Sequence, residues 1–328
     1  MEKNSDVCEK SVVLDDDKSE GSVDVESESK QDDIQEAEKI CIIDPDTEEL
    51  DMNHSKLSKL ENLEPLTKIK KLCFTWNLIK KLENLETLTT LVELEIRDNQ
   101  ITVIENLDTL VNLKVLDISF NRIKAIENLD KLINLEKLFL SSNKITKIQN
   151  ISHLTKLMFL ELGDNKIRKI ENLENLINLK ELFLAKNKIT KIENINNLVN
   201  LDVLSLQSNR IQKIENLDNL INLGQLYLSE NGITTIEGLD NLKNLNTLDL
   251  AENQISVIQG ISHMELLEEL WMNNNKIEDW SAIGNLEHNK KLQTVYLEHN
   301  RITDESNYRR KMKLLVPWLV QLDATLCR

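Results

Sequence analysis

Asparagine returns at a fixed interval of 22 residues, at Asn77, Asn99, Asn121, Asn143, Asn165, Asn187, Asn209, Asn231, Asn253 and Asn275, and once more at Asn300 after 25. Each stands in the frame L-x-x-L-x-L-x-x-N-x-I, for example Leu113, Leu116, Ile118, Asn121 and Ile123. That period constrains the chain more than any other feature. A unit of 22 residues cannot bury its own apolar face, so each must stack on the next and the whole must be a solenoid of coils. A degenerate first copy has Leu50, Met52 and Leu57 in frame with Ser55 in the asparagine position, and the last uses Leu292, Val295, Leu297, Asn300 and Ile302. Twelve repeats are therefore expected over residues 47–302.

The frame assigns each position a role. In the short strand L-x-L, side chains alternate between faces, so Leu116 and Ile118 point into the coil and Asp117 points out onto a concave sheet. Beyond the strand the chain turns inside the coil, where backbone groups lose water. The asparagine, with two donors and an acceptor, is expected to satisfy groups in its own and the adjacent coil. The following segment, such as Glu127 to Leu135, is expected to return on the convex side as a short helix or 3₁₀ turn. Asn172 and Glu174 lie there and read as convex surface positions. An open solenoid exposes its last core layer, and after Ile302 the period breaks into Tyr308-Arg309-Arg310, Leu314 to Leu319 and Leu322-Asp323, apolar enough to cap it. The cap is placed at 303–328. The frame is that of the leucine-rich repeat, and I-E-N-L at Ile104–Leu107, Ile126–Leu129 and Ile170–Leu173 is similar to its 22-residue subclass. The expected fold class is an α/β repeat solenoid, a horseshoe with a parallel concave sheet.

Charge divides the chain and removes several functional classes. The net charge is −16, and residues 1–46 carry 16 acids against five lysines, whereas 47–328 carry 40 acids and 35 bases. High charge with little to bury cannot offset chain entropy, so 1–46 reads as a disordered acidic tail, either a plain solubilising segment or a kinase substrate at Ser19, Ser22, Ser27 and Ser29. A nucleic-acid reader needs a basic footprint, which this composition does not offer. No stretch approaches the ~18 consecutive apolar residues of a membrane span; Leu314 to Leu322 is short and broken by Pro317. The opening MEKNSDVCEK has neither a basic nor an apolar signal region, so the chain reads as intracellular, with Cys8, Cys41, Cys73 and Cys327 as free thiols.

Function then falls to the concave surface. Four residues before each ladder asparagine stand Cys73, Glu95, Asp117, Phe139, Glu161, Phe183, Ser205, Tyr227, Asp249, Trp271 and Tyr296, the last shifted with its longer repeat by the same count. At ~4.8 Å between strands they form one stripe roughly 48 Å long. Five of the eleven are aromatic in a chain with 4% aromatics, and four are carboxylates. Exposed aromatics alternating with charge are the composition of a protein interface; the bland alternative is that the rings only pack on one another. Neighbouring columns add Glu93, Phe159, Glu181 and Glu269 on one side and Trp76, Asp98, Phe120 and Asp164 on the other. The matching surface of a partner is expected to be basic with apolar pockets.

Catalytic signals are lacking. The five histidines are scattered, and His153 and His263 share one frame position, in I-S-H. There is no G-x-S-x-G, phosphate-binding glycine loop or H-E-x-x-H, and Asp117 and Glu161, two strands apart, read as open to water. No cofactor or metal is expected, and no enzymatic role.

Several runs go beyond the generic frame: L-D-I-S-F-N at Leu116–Asn121, L-E-L-G-D-N-K-I-R at Leu160–Arg168, L-W-M-N-N-N at Leu270–Asn275, T-V-Y-L-E-H-N at Thr294–Asn300, and the terminal Y-R-R-K-M, P-W-L and Q-L-D-A-T. Over residues 47–326 the chain resembles the leucine-rich-repeat regulators of protein phosphatase 1. The resemblance implies a non-catalytic subunit, nuclear and cytoplasmic, that binds the phosphatase catalytic subunit and controls its activity or maturation, often alongside a second inhibitory subunit. It implies partner-binding residues at Asp117, Phe139, Glu161, Phe183, Asp249, Glu269, Trp271 and Tyr296. The basic-Val-x-Phe docking peptide of many phosphatase regulators has no good copy here, Val316-Pro317-Trp318 coming nearest, so binding rests on the folded face. The other function class is a generic repeat scaffold for a different partner, of the spliceosomal or axonemal kind.

Overall fold

The structure is a computed structural model that describes residues 44–327; the expected acidic tail lies outside the described residues except for its last three. Twelve three-residue strands recur with the sequence period: β1 Glu49–Asp51, β2 Lys71–Cys73, β3 Glu93–Glu95, β4 Val115–Asp117, β5 Lys137–Phe139, β6 Phe159–Glu161, β7 Glu181–Phe183, β8 Val203–Ser205, β9 Gln225–Tyr227, β10 Thr247–Asp249, β11 Glu269–Trp271 and β12 Thr294–Tyr296. Each pairs parallel with the next, one repeat on, as in Leu94↔Leu116 and Leu138↔Leu160. The central leucine points inward because the period of a strand is two, and Leu94, Leu116, Leu138 and Leu160 are fully buried in one continuous core.

The asparagine ladder closes the inner turn. Asn187 Oδ1 accepts the Ile167 amide of the preceding coil at 2.9 Å, while its Nδ2 donates to Leu162 O at 2.9 Å and to Leu184 O at 3.1 Å. One side chain thus satisfies a donor and an acceptor next door and an acceptor at home, and it is buried while doing so.

The convex return takes the turn form of the expectation in most coils and a helical form in one longer repeat. In most coils it is a pair of successive tight turns, Leu110 N to Leu107 O and Leu113 N to Leu110 O at 3.0 Å each, with no helix. Helical turns of the 3₁₀ type, Trp280–Ala282 and Gly284–His288, occur in the longer repeat that ends at Asn300. The reason is a second asparagine series that sequence reasoning treated as surface filler. Asn106, Asn128, Asn150, Asn172, Asn194 and Asn216 all adopt left-handed backbone, φ 57 to 61°, which stops a helix from starting. Each also donates to a carbonyl 24 residues back, as Asn172 Nδ2 does to Ile148 O at 2.7 Å. Asn172 is therefore no neutral surface position. In the next two coils the place is taken by Gly238 and Gly260, with φ 66° and 67°. At Gly238 an added Cβ would lie 2.7 Å from Ile214 O, so the backbones approach too closely for any side chain.

The far end is closed by helix α1, Tyr308–Leu315, and two short strands, β13 Gln321–Leu322 parallel to β12 and β14 Thr325–Leu326 antiparallel to β13. Asp323, in left-handed backbone one residue after β13, ties the cap to the last repeat: its Oδ1 accepts the Leu297 and Glu298 amides at 2.8 and 3.0 Å, and Tyr308 Oη donates to its Oδ2 at 3.2 Å.

Candidate interaction surface

The strand register carries the sequence-derived stripe into space as one row. Asp117 faces Phe139, Phe139 faces Glu161 and Glu161 faces Phe183; further along, Asp249 faces Trp271 and Trp271 faces Tyr296. Glu269 stands two residues before Trp271 on the same strand and so on the same face.

Exposure along the row is less than the sequence suggests. Trp271, 39% accessible, is its exposed aromatic; Phe139, Phe183, Tyr227 and Tyr296 are half-buried, and Cys73, Ser205 and Asp249 are buried. Two causes act. Rings lean on one another: Phe159 lies 4.6 Å from Phe139 and 5.2 Å from Phe183, centroid to centroid, bridging the two across Glu161's strand. Side chains also fold back onto backbone, as Asp249 does in accepting from Ala251 N at 3.0 Å and from the Ser229 hydroxyl at 2.7 Å. Phe159 was visible only as a neighbouring-column residue, yet it is the hub of the aromatic cluster. The rings still present half-buried edges, held in the tilted geometry that aromatic pairs prefer.

The C-terminal part of the row is braced from outside the repeats. Trp271 and Tyr296 stack at 4.9 Å with a 30° interplanar angle, and Gln321 of the cap donates to the Tyr296 hydroxyl at 2.6 Å. No sequence signal pointed to Gln321, because the cap breaks the period that located everything else.

Burial also alters the acids. Glu161 is half-buried, not open to water, and burial pushes its carboxyl above the ordinary range, with Asp117 adding repulsion and Ser141 and Arg97 opposing. Asp249 is raised for the same first reason, against the bonds from Ser229 and Ala251. These carboxylates are underneutralised when ionised and gain most from a cationic neighbour. At the N-terminal end the acids already have a cation: Lys71 Nζ binds Glu93 and Glu95 at 2.9 and 2.8 Å, one positive charge shared by two carboxylates. Cys73 beside it is buried, its thiol pushed up to about 12, which makes it a poor nucleophile at neutral pH. Between these ends an open cleft of about 430 Å³ is lined by Asp117, Phe120, Phe139, Glu161 and Arg97.

The histidines belong to the repeat geometry: His153 and His263 place Nε2 3.0 and 3.1 Å from the Leu129 and Leu239 carbonyls of the preceding coils. Among the described residues no group of three His, Cys, Asp or Glu is arranged to hold a metal ion, and no helix is long and apolar enough to cross a membrane.

Comparison with known proteins agrees with this architecture. The family described as Leucine Rich repeats (2 copies) matches at 89–131, 133–175, 177–219, 199–241, 221–263 and 243–287, more than half of the chain, and a Leucine Rich repeat matches at 288–306. Among curated proteins, protein phosphatase 1 regulatory subunit 7 of Xenopus tropicalis is 49% identical over 52 residues, and the human protein of that name 50% over 52. Those stretches cover 16% of this chain and 15% and 14% of the two relatives, so the chain spans only a small part of the curated relatives it matches. Among solved structures, an internalin of Listeria monocytogenes superposes with a TM-score of 0.69 at 25% identity over 85% of this chain and 87% of its own. A repeat protein of Leptospira interrogans does so with 0.74 at 27% identity over 79% and 67%.

Proposed function

The chain belongs to the leucine-rich-repeat family, and from that premise we propose that it is a non-catalytic regulatory subunit that binds the catalytic subunit of protein phosphatase 1 on its concave face and controls its activity or maturation. A fold does not specify a partner, so the reading rests on the site. One observation carries it: Asp117, Phe139, Glu161, Phe183, Asp249, Glu269, Trp271 and Tyr296, the positions that the resemblance to phosphatase regulators marks for partner binding, share one face in continuous register. The short stretch of identity to regulatory subunit 7 supports the same direction.

The proposed division of labour follows from the chemistry. Phe139, Phe183, Trp271 and Tyr296 supply apolar anchors that need little further ordering, because their rings are already packed. Asp117, Glu161, Asp249 and Glu269 supply negative charge that a basic partner surface relieves. A second inhibitory subunit in the same complex, and a nuclear and cytoplasmic location, belong to the proposal through the resemblance alone.

Affinity capture from cell extract with the full chain, with and without Trp271→Ala, tests the reading. Recovery of the phosphatase catalytic subunit that falls on substitution supports it. Its absence from both captures selects the other class, a repeat scaffold for a different partner.

A further inference from the structure

In every coil the residue just before the ladder asparagine adopts left-handed backbone. Short polar residues suit that conformation, and Asp98, Ser142, Asp164, Ser208 and Asn274 fill the position in five coils, with the longer polar Lys186, Glu230, Glu252 and His299 in four others. Trp76 and Phe120 do not suit it. They hold φ 60° and 53°, a region in which bulky side chains are genuine outliers, and they are 57% and 41% exposed. The repeat imposes this backbone in every coil, so what distinguishes these two positions is that each sets a large aromatic, ill suited to it, facing solvent.

Their surroundings specify what they face. His54, one coil before, stacks on Trp76 at 5.7 Å with a 15° interplanar angle, covering one side of the indole. Asp98 follows Trp76 in the same column and precedes Phe120, so the two aromatics stand two coils, about 9.6 Å, apart with a carboxylate between them. That interval already holds a guanidinium: Arg97 lies 4.5 Å from the Phe120 ring centroid, and its Nε is 3.6 Å from Asp98 Oδ2. The cleft lined by Asp117, Phe139 and Glu161 has Phe120 and Arg97 on its wall, so the rim is continuous with the stripe.

We propose that Trp76, Asp98 and Phe120 form a second anchoring surface, which takes an arginine or lysine side chain of the phosphatase catalytic subunit beside the concave stripe. The inference rests on the proposed function for the identity of the partner. A cation between an indole and a phenyl, over a carboxylate, gains both ring quadrupoles and the charge. Arg97 is the internal stand-in, and the partner's cation displaces it.

The test uses the full chain and the purified catalytic subunit, with dissociation constants from surface plasmon resonance and melting curves on the same samples. Asparagine stands at this position in another repeat, so Trp76→Asn and Phe120→Asn keep the fold and relieve the backbone. Each is expected to leave the melting temperature unchanged or higher while raising the dissociation constant about tenfold. Arg97→Ala, which removes the internal competitor, is expected to lower the dissociation constant severalfold. Wild-type affinity for both asparagine variants, with weakened binding for Trp271→Ala, overturns the rim proposal and leaves the stripe reading standing. Wild-type affinity for Trp271→Ala with weakened rim variants does the opposite. No binding by the wild-type chain overturns both.

Discussion

Asn187 and Ile167 belong to adjacent coils and are joined by a single bond, the Ile167 amide donating 2.9 Å to Asn187 Oδ1. The Ile167 amide has its partner in another repeat, so Asn187→Ala strips a buried donor and two buried carbonyls at once. The expected loss is about 1–3 kcal/mol of stability. Thermal melting checks it, and an unchanged transition contradicts the buried-ladder assignment.

The second asparagine series makes a paired prediction. Asn172→Ala loses a 2.7 Å bond to Ile148 O and forces alanine into φ 61°, and it is expected to cost about 1–2 kcal/mol. Glu174→Ala, exposed two residues away, is expected to change stability by less than about 0.5 kcal/mol. Gly238→Ala should destabilise more than Gly260→Ala, because the added methyl meets Ile214 O at 2.7 Å in the first and Ile236 O at 3.4 Å in the second. Chemical denaturation of the four variants ranks them, and equal effects at the two glycines contradict the close approach.

These two series show how much of the molecule was legible beforehand. The strands, their register and the first ladder were readable because leucine and asparagine recur in a strict period whose physical demands differ by position. The second ladder recurs just as strictly, but its asparagines sit among polar residues and look like surface. The clue was the replacement of asparagine by glycine at 238 and 260, since those two residue types share tolerance of left-handed backbone. The stripe residues were legible as positions and not as exposures. Burial of Asp249, the hub role of Phe159 and the brace from Gln321 depend on contacts among coils and cap that no single repeat encodes.

The raised carboxyl of Glu161 predicts an inverted pH response. The folded chain binds this proton more tightly than the unfolded chain, so between the unfolded and folded pKa values stability falls as pH rises. Ionised Glu161 is therefore a cost at neutral pH that Glu161→Gln removes. The variant is expected to melt higher than wild type at pH 7, with the difference vanishing in acid, below both pKa values. Melting across pH 3 to 8 checks this, and a lower melting temperature for the variant at pH 7 contradicts it.

Asp323 ties the cap to the last repeat through the Leu297 and Glu298 amides. Asp323→Ala leaves both donors unpaired and releases Tyr308, with an expected loss of about 2 kcal/mol or more. Tyr308→Phe removes one 3.2 Å bond and is expected to cost less, about 1 kcal/mol. Hydrogen exchange should show the loss concentrated in the terminal coils, since each repeat contacts only its neighbours. Uniform loss along the solenoid contradicts that picture.

The concave row is proposed to bind the phosphatase catalytic subunit with anchors and charges in separate roles. Surface plasmon resonance of the full chain against that subunit at two salt concentrations tests it most directly. Trp271→Ala is expected to weaken binding by about 2 kcal/mol or more, mainly through faster release at either salt. Glu161→Ala is expected to slow association, by an amount that shrinks as salt rises. Wild-type kinetics for Trp271→Ala contradict the account.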